Sequence, residues 1–418
     1  MQQTQGAIGT LKKDHKITII GGGISGLFVA YHLKKQGIPF ELHEKEEVLG
    51  GKIGTKVSPF GLSETAANAI FTNDDVFDLL DDLNLKYIPT EKKLKKMIWR
   101  KGKVASPPIS VWEILKILPS LLKKPHVDEQ TSVFDFFSPL LGKEVSSEVL
   151  APVFGGVYAE NIKDLHFKSI FKSWKNQRSY FSFIRSIIKE KKNQKRKSQS
   201  ISFPGGMAEL INALHDYLKD HIRLNSSIET LTSDNTLICT HAHHAAAILR
   251  VKHPKAAEIL EKIHYNSLSS ATLITEKEIP FLKGAFGLLF PPEKNAFHSL
   301  GILANSEIFP KRTLAPNHHS YTFILKGDSA STDDEVSHDL SLISAEASFK
   351  KKKSLLITHW ATALPIYNYH RHQSILRLRS QFLQIEPGLC LFGNYVDGIS
   401  LRDILGHAKK IARNSKTL

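Results

Sequence analysis

The stretch Ile17-Thr18-Ile19-Ile20-Gly21-Gly22-Gly23-Ile24-Ser25-Gly26-Leu27-Phe28 constrains this chain more than any other. Four glycines fall within six residues, directly after an apolar run. Glycine costs backbone entropy, so such a cluster meets a geometric need. Lys16 to Ile20 reads as a buried strand and Leu27 to Lys35 as a helix, which places Gly21, Gly23 and Gly26 in the turn between them as G-x-G-x-x-G. There the first glycine makes the tight turn, the second lets backbone N–H groups approach a pyrophosphate, and the third lets helix and strand pack closely. The helix N-terminus then faces the phosphates with its free N–H groups and positive dipole end.

A glycine-rich turn without a ligand would carry the same letters, so the next residues decide. Ile38 to His43 reads as a second strand, and Glu44 ends it, 23 residues after Gly21 (44 − 21). That is close to the spacing of about 20 at which a carboxylate accepts hydrogen bonds from a ribose. Leu49-Gly50-Gly51-Lys52-Ile53 follows, and a second glycine pair suits a chain lying against a dinucleotide.

With 418 residues, two or three domains are expected. The two cysteines, Cys239 and Cys390, are far apart and form no C-x-x-C, which excludes a disulfide-based redox centre and fits a reducing compartment. Met1 to His15 is polar and lacks an apolar signal core, so a disordered tail is expected rather than an export signal. No run of about 18 apolar residues predicts a spanning helix. The net charge of +15 suits an anionic partner: nucleic acid, membrane surface or acidic small molecule. Nucleic acid is set aside because no recognition motif for it is present. The basic run Lys189 to Lys197 reads either as a solvated loop or as a patch near anionic lipid headgroups.

Along the chain, residues 75–84 look helical and Lys96 to Lys103 looks like a strand and turn. Ser110 to Gly155 is helical and amphipathic, with Pro119, Pro125 and Pro139 as breaks; it reads as a buried helical unit or as one lying on a bilayer with lysines at its rim. A helix is expected at Ala208 to Leu218, then short strands at His221 to Leu224, Ser227 to Leu231 and Thr236 to Thr240. Lys283 to Phe290, Ser299 to Leu303, Ser320 to Leu325 and Ser354 to Ala361 read as strands of an antiparallel sheet. Leu389 to Phe392 reads as an apolar strand running into Gly393-Asn394, before a last helix from Leu401. Two histidine groups, His241/His243/His244 and His370/His372, lack a carboxylate or cysteine at ligand spacing, so no metal site is expected. Asp397 is a candidate cap for the last helix.

Several segments together resemble one family. The glycine turn, Glu44 and LGGKI are shared with the flavin amine oxidase superfamily, which binds FAD. "APVFGGVYAENIKDLHFKSIF" (Ala151 to Phe171), "FPGGMAELINAL" (Phe203 to Leu214), "LGILANSEIFPKR" (Leu300 to Arg312), "HWATALPIYNYH" (His359 to His370) and "GLCLFGNYVDGISLRDI" (Gly388 to Ile404) resemble the oxygen-dependent protoporphyrinogen and coproporphyrinogen oxidases, in that family's order. The resemblance implies an α/β chain in three parts. They are a Rossmann-type FAD domain (14–90, 200–255 and 355–418), an antiparallel-sheet substrate domain (256–354 with about 91–105) and an inserted helical membrane-contacting domain (106–199).

It also implies removal of six electrons from a porphyrinogen in three two-electron steps, with dioxygen reoxidising the flavin to give hydrogen peroxide. Protoporphyrinogen IX is the leading substrate; some bacterial members act on coproporphyrinogen III. A cytoplasmic, peripherally membrane-associated protein is expected, with a homodimer allowed for. By position, Gly21, Gly22, Gly23, Ile24, Ser25 and Gly26 would hold the pyrophosphate, and Glu44 and Lys45 the ribose end. Gly51 and Lys52 would lie near the phosphates and Ile228 at the adenine. Ala67, Asn68, Trp360, Gly393, Ile399, Ser400 and Leu401 would lie beside the flavin, and Lys96 would pair with a propionate. The chain departs from the family at Ala66, where glycine is usual, and in its C-terminal stretch. An FAD amine oxidase or desaturase, or a non-catalytic flavin- and porphyrin-binding carrier, shares part of the pattern. The flavin carries the difficult step, so no nucleophile–base set is needed, and no catalytic residue is singled out.

Overall fold

The computed structural model describes residues 6–415 except 92, 107, 173, 175–176, 193–195, 197, 293–295, 311, 328–331, 344–351, 386 and 397. Asp397 therefore lies outside the described residues, as does most of the basic run, of which the side chains of Lys189 and Arg196 are described and exposed.

The apolar run Ile17–Ile20 forms an inner strand of a six-stranded sheet, in the order Ala7–Thr10, Leu389–Phe392, Thr236–Ile238, Ile17–Ile20, Phe40–His43, Ile222–Arg223. The last five are mutually parallel. Parallel strands covered on both faces need apolar residues on both, which is why ITII and LCLF show no alternation. Helices Ile24–Lys35, Ala208–Leu218 and Leu401–Asn414 cover one face through Leu27, Val29, Leu210, Leu405 and Ala412. Helices Ala242–Leu249, Pro254–Glu261 and Tyr369–Phe382 cover the other through Leu249, Leu260 and Leu378. The result is a doubly wound α/β unit.

The first residues correct one expectation. Ala7–Thr10 is not a loose tail but the sheet's antiparallel edge strand, with Ala7 and Ile8 fully buried. Gly9 allows it: at φ +91° its ideal Cβ would sit 2.2 Å from the Leu389 carbonyl oxygen, so the two backbones meet only where no side chain stands.

A second sheet of seven strands runs Lys352–Trp360, Leu268–Thr275, His319–Lys326, Ser299–Ala304, Ala285–Leu289, Lys95–Arg100, Lys103–Ala105. Its pairs are antiparallel except Ala285–Leu289 with Lys95–Arg100, which is parallel. Strand Lys352–Trp360 belongs here, so the chain passes to the first sheet only after residue 360. Leu268–Thr275, absent from the sequence reading, is an inner strand; Ser227 to Leu231, read as a strand, is an irregular loop.

Residues 111–192 are largely helical, including Val111–Ile117, Val133–Leu141, Ala151–Tyr158 and Tyr180–Lys192. Pro139 lies inside Val133–Leu141 rather than breaking it. From Val111 to Leu122 a row of large apolar side chains stays in solvent, with Trp112 77% and Leu122 80% exposed. Among the described residues, no helix is long and apolar enough to cross a membrane.

Candidate active site

The three glycines of the turn do three different things. Gly21 adopts φ +107°, which only glycine tolerates readily. Gly26 brings helix to strand: an added Cβ would lie 2.0 Å from the Gly21 carbonyl oxygen. At Gly23 an added Cβ would meet nothing within 4 Å. Gly23 caps the twelve-residue helix Ile24–Lys35, whose first turn holds no acidic residue, so its free N–H groups open onto space. The second glycine pair lies against the first: Gly50 N–H donates to the Gly22 carbonyl at 2.9 Å, and Gly51 at φ +59° would put a Cβ 3.3 Å from Gly23 Cα. Glu44 ends the second strand with its carboxylate half-exposed, accepting from Gly22 N–H at 2.6 Å and from Glu46 N–H at 3.0 Å.

A cavity of about 430 Å³ opens in front of this turn. Gly23, Ile24, Ser25, Gly51 and Lys52 form one end. The loop Thr65–Asn68, with Ala67 and Asn68, forms a side, as do Trp360 and the C-terminal Gly393, Asn394, Ile399 and Leu401. The far wall is the seven-stranded sheet, through Leu268, Ser270, Leu303 and Ile324, joined by Gly156 and Val157 of helix Ala151–Tyr158. Eleven residues expected at a cofactor thus line one space: Gly23, Ile24, Ser25, Gly51, Lys52, Ala67, Asn68, Trp360, Gly393, Ile399 and Leu401. Gly21, Gly22, Gly26, Glu44, Lys45, Ile228 and Ser400 are not on its wall. Ile228 sits on a loop that starts beside Glu44, where Ser226 N–H donates to the Glu44 carbonyl at 2.8 Å. Lys45 is exposed beside Glu46. Ser400 caps helix Leu401–Asn414, whose N-terminus reaches the cavity at Leu401 and Ile404.

The cavity-lining loops at residues 65–68 and 393–396 are clamped by Trp360 and by two arginines, Arg312 and Arg371, that the sequence reading passed over. Trp360 Nε1–H donates to the Thr65 carbonyl at 2.7 Å, and Arg312 donates to the Asn68 carbonyl at 3.2 Å and pairs with buried Glu64. Arg371, buried without a carboxylate partner among the described residues, lies 3.9 Å from the Tyr367 ring centroid. It donates to Tyr395 O at 2.6 and 2.9 Å and to Val396 O at 3.0 Å, and Tyr367 O–H donates to Asn394 O. Nothing in the sequence sets Arg371 apart from the other arginines of helix Tyr369–Phe382; an unpaired buried guanidinium must be satisfied by carbonyls, and these lie 24 and 25 residues further on.

Lys52 is the cation of the wall. Its Nζ donates to the Ala363 carbonyl at 2.6 Å, and burial lowers its pKa to about 8. His241 also lines the cavity, and burial, with Lys52 second, lowers its pKa to about 3, so its imidazole is neutral. The ring nitrogens of His241, His243 and His244 come within 4.8 Å of one another, a spacing that could hold a metal ion. Lys96 is exposed in strand Lys95–Arg100 and not on the cavity wall. It pairs with Gly287, which pairs with Leu303, so it stands two strands from the cavity on the same sheet face.

A glycine turn at a helix N-terminus, opening into a largely apolar cavity walled by a second sheet, defines an FAD-dependent oxidoreductase. The room a Cβ would fill at Gly23 is the room a pyrophosphate needs, so the residues present fit that cofactor. The chain belongs to the family of flavin-containing amine oxidoreductases, whose profile spans residues 24–400. Over 477 aligned positions it is 27% identical to protoporphyrinogen oxidase 2, chloroplastic/mitochondrial, of Arabidopsis thaliana, covering 95% of this chain and 93% of that protein. It is 21% identical to coproporphyrinogen III oxidase of Bacillus subtilis, with 96% and 98% covered. A solved structure assigned to a protoporphyrinogen oxidase of Exiguobacterium sp. 255-15 superposes with TM-score 0.77 at 20% identity, covering 96% and 98%. Reduced UDP-galactopyranose mutase superposes with TM-score 0.73 at 15% identity, covering 95% and 94%. The two structural likenesses speak to the fold alone, and a fold does not name a substrate.

Proposed function

We propose that this flavoenzyme oxidises a porphyrinogen to the porphyrin, with protoporphyrinogen IX as first candidate and dioxygen as electron acceptor. One observation carries the reading: the wall opposite the glycine turn is uncharged and mostly apolar (Val157, Leu268, Leu303, Ile324), with the hydroxyl residue Ser270 among them. Such a wall suits the neutral core of a tetrapyrrole and leaves carboxylates at the rim. Relatives named for protoporphyrinogen and coproporphyrinogen oxidases along nearly the whole chain support it.

When bound, FAD supplies two-electron chemistry, accepting hydride from the substrate. Backbone N–H groups of residues 21–26 and the dipole of helix Ile24–Lys35 would hold its pyrophosphate, with Lys52 as counter-charge. Glu44, next to Lys45, would accept from the ribose, and Ile228 would flank the adenine. Ala67, Asn68, Trp360, Gly393 and the helix start Ile399-Ser400-Leu401 would hold the flavin ring, on loops fixed by Arg312 and Arg371. Gly156 and Val157, with the sheet, exclude water from the reacting edge. Lys96 would meet a propionate at the rim. The exposed row Val111 to Leu122, flanked by Lys116, Lys123 and Lys124, would rest on an anionic membrane surface.

The test is direct. The purified protein is supplied with protoporphyrinogen IX and, separately, coproporphyrinogen III, while porphyrin fluorescence, oxygen uptake and peroxide are followed. Turnover of either with one dioxygen per two electrons supports the reading, and the ratio of kcat/KM chooses the substrate. Porphyrin binding without turnover would leave a carrier, and turnover of simple amines instead would leave an amine oxidase.

A further inference from the structure

On the sheet face that forms the far wall, hydroxyl groups fall in two successive rows, and the rows differ. In the row through Thr272, every hydroxyl is used: Ser63 Oγ–H donates to Thr272 at 2.8 Å, Thr272 and Thr322 share a bond of 2.8 Å, and Asn305 Nδ2–H donates to Thr322 at 2.7 Å. The next row holds Ser270, directly opposite Thr358 on one neighbouring strand and Ile324 on the other. Ser270 is 6% exposed and Thr358 8% exposed, and neither hydroxyl has a protein partner. Ser270 lines the cavity. Even with the Ser270 O–H turned toward Thr358, the Ser270 lone pairs would be left without a donor. An unpaired buried hydroxyl is a net cost to the fold, so the pair is a poor structural device and a good ligand site.

We infer that Ser270, backed by Thr358, is a substrate-positioning residue that accepts a hydrogen bond from a pyrrole N–H of the tetrapyrrole. The inference rests on the porphyrinogen reading above. The ligand part that reaches Ser270 is uncharged, because the neighbouring wall is Leu268, Leu303 and Ile324, while Lys52 is held at the opposite, phosphate end by Ala363. A porphyrinogen offers one polar group in its neutral core, the pyrrole N–H. Its saturated bridging carbons let the pyrroles tilt, so that N–H groups point to one face of the ring, and a hydroxyl lone pair meets them there. The contact fixes the ring's height and rotation over the reacting edge without adding charge to the cavity.

The experiment compares the FAD-loaded parent with Ser270→Ala and Thr358→Val. Steady-state turnover of protoporphyrinogen IX and of its dimethyl ester is followed by porphyrin fluorescence, alongside the flavin spectrum and the melting temperature without substrate. Ser270→Ala is expected to lower kcat/KM for both porphyrinogens about tenfold, the effect of one lost hydrogen bond. Thr358→Val should lower it less. The flavin spectrum should not change, and the melting temperature should hold or rise because a buried unpaired hydroxyl is gone. A structural role would lower the melting temperature and overturn the inference. A kcat/KM within twofold of the parent would also overturn it, leaving Ser270 solvated by a buried water. A loss confined to the free acid would move the contact to a carboxylate and overturn the N–H assignment. If the parent turns over neither porphyrinogen, the substrate reading falls first and this inference with it.

Discussion

Glu64 and Arg312, 248 residues apart in sequence, form an ion pair in which both residues are under 5% exposed. Glu64 also accepts from Thr55 Oγ1–H at 2.7 Å and from Met207 N–H at the start of helix Ala208–Leu218, while Arg312 reaches Asn68 O and Ser202 Oγ. One buried pair thus ties the cavity-lining loop at residues 65–68 to the start of helix Ala208–Leu218 and to strand Ser200–Ser202. Removing one partner leaves an uncompensated buried charge, so Arg312→Met should cost about 3–5 kcal/mol. The double change with Glu64→Gln should cost less than the sum of the singles. Urea unfolding of the four proteins measures this, and additive costs would show that the two groups do not interact.

Gly23 and Gly26 separate cofactor binding from folding. An added side chain at Gly23 meets open space, so Gly23→Val should purify folded, with a melting temperature near the parent's, yet without flavin colour. Gly26→Ala drives a Cβ against the Gly21 carbonyl and should lose stability as well as flavin. A yellow Gly23→Val protein with the parent's FAD content would place the phosphates elsewhere.

Much of this unit was legible because its signals are local: turn, helix start and second strand lie within thirty residues. The far wall was not. In Leu268–Thr275 every residue after Leu268 is buried, so both faces are covered and no alternation marks the strand. Two of its hydroxyls, Ser269 and Thr272, are satisfied by His359 and Thr322 on neighbouring strands, which the local sequence does not reveal. Arg312 and Arg371 were equally silent, since their partners are carbonyls and a carboxylate far along the chain. Ala7–Thr10 was missed because four residues, two of them Ala and Gly, carry too little periodicity to oppose a polar neighbourhood.

Lys52 gives a pH dependence. In the FAD-free protein its folded pKa, about 8, lies below the ordinary lysine value of about 10.4. Between those values the unfolded chain holds more protons, so stability should rise as pH rises through that window, by at most about 3 kcal/mol. Lys52→Met should flatten the rise. FAD affinity should move the opposite way, weakening above about pH 8 as the ammonium is lost. Denaturant melts and FAD titrations from pH 7 to 10.5 read both, and parallel curves for parent and variant would remove Lys52 from the phosphate end.

Lys96 is exposed, so a propionate paired with it would be screened by water. Lys96→Ala should raise KM by less than about fivefold, corresponding to under 1 kcal/mol, with kcat and FAD content unchanged. A rise of thirtyfold or more in steady-state kinetics would mean that substrate closes over this strand and dries the pair.

Trp112 and Leu122 test the proposed membrane face. Their side chains are 77% and 80% exposed, so Trp112→Glu and Leu122→Glu should leave the melting temperature within a degree or two. Flotation with anionic liposomes should fall in both variants, and for the parent should fall as salt rises. Equal flotation of parent and variants would assign the row to a protein contact or to solvent.

The edge strand Ala7–Thr10 pairs only with Leu389–Phe392, and Asp14 N–H reaches the Ser415 carbonyl at 3.2 Å. On the ribosome, strand Ala7–Thr10 therefore waits for a partner made only about 380 residues later, on the order of 20–75 s at ordinary elongation rates. During that interval the glycine turn exists without the cavity wall that Gly393, Ile399 and Leu401 supply.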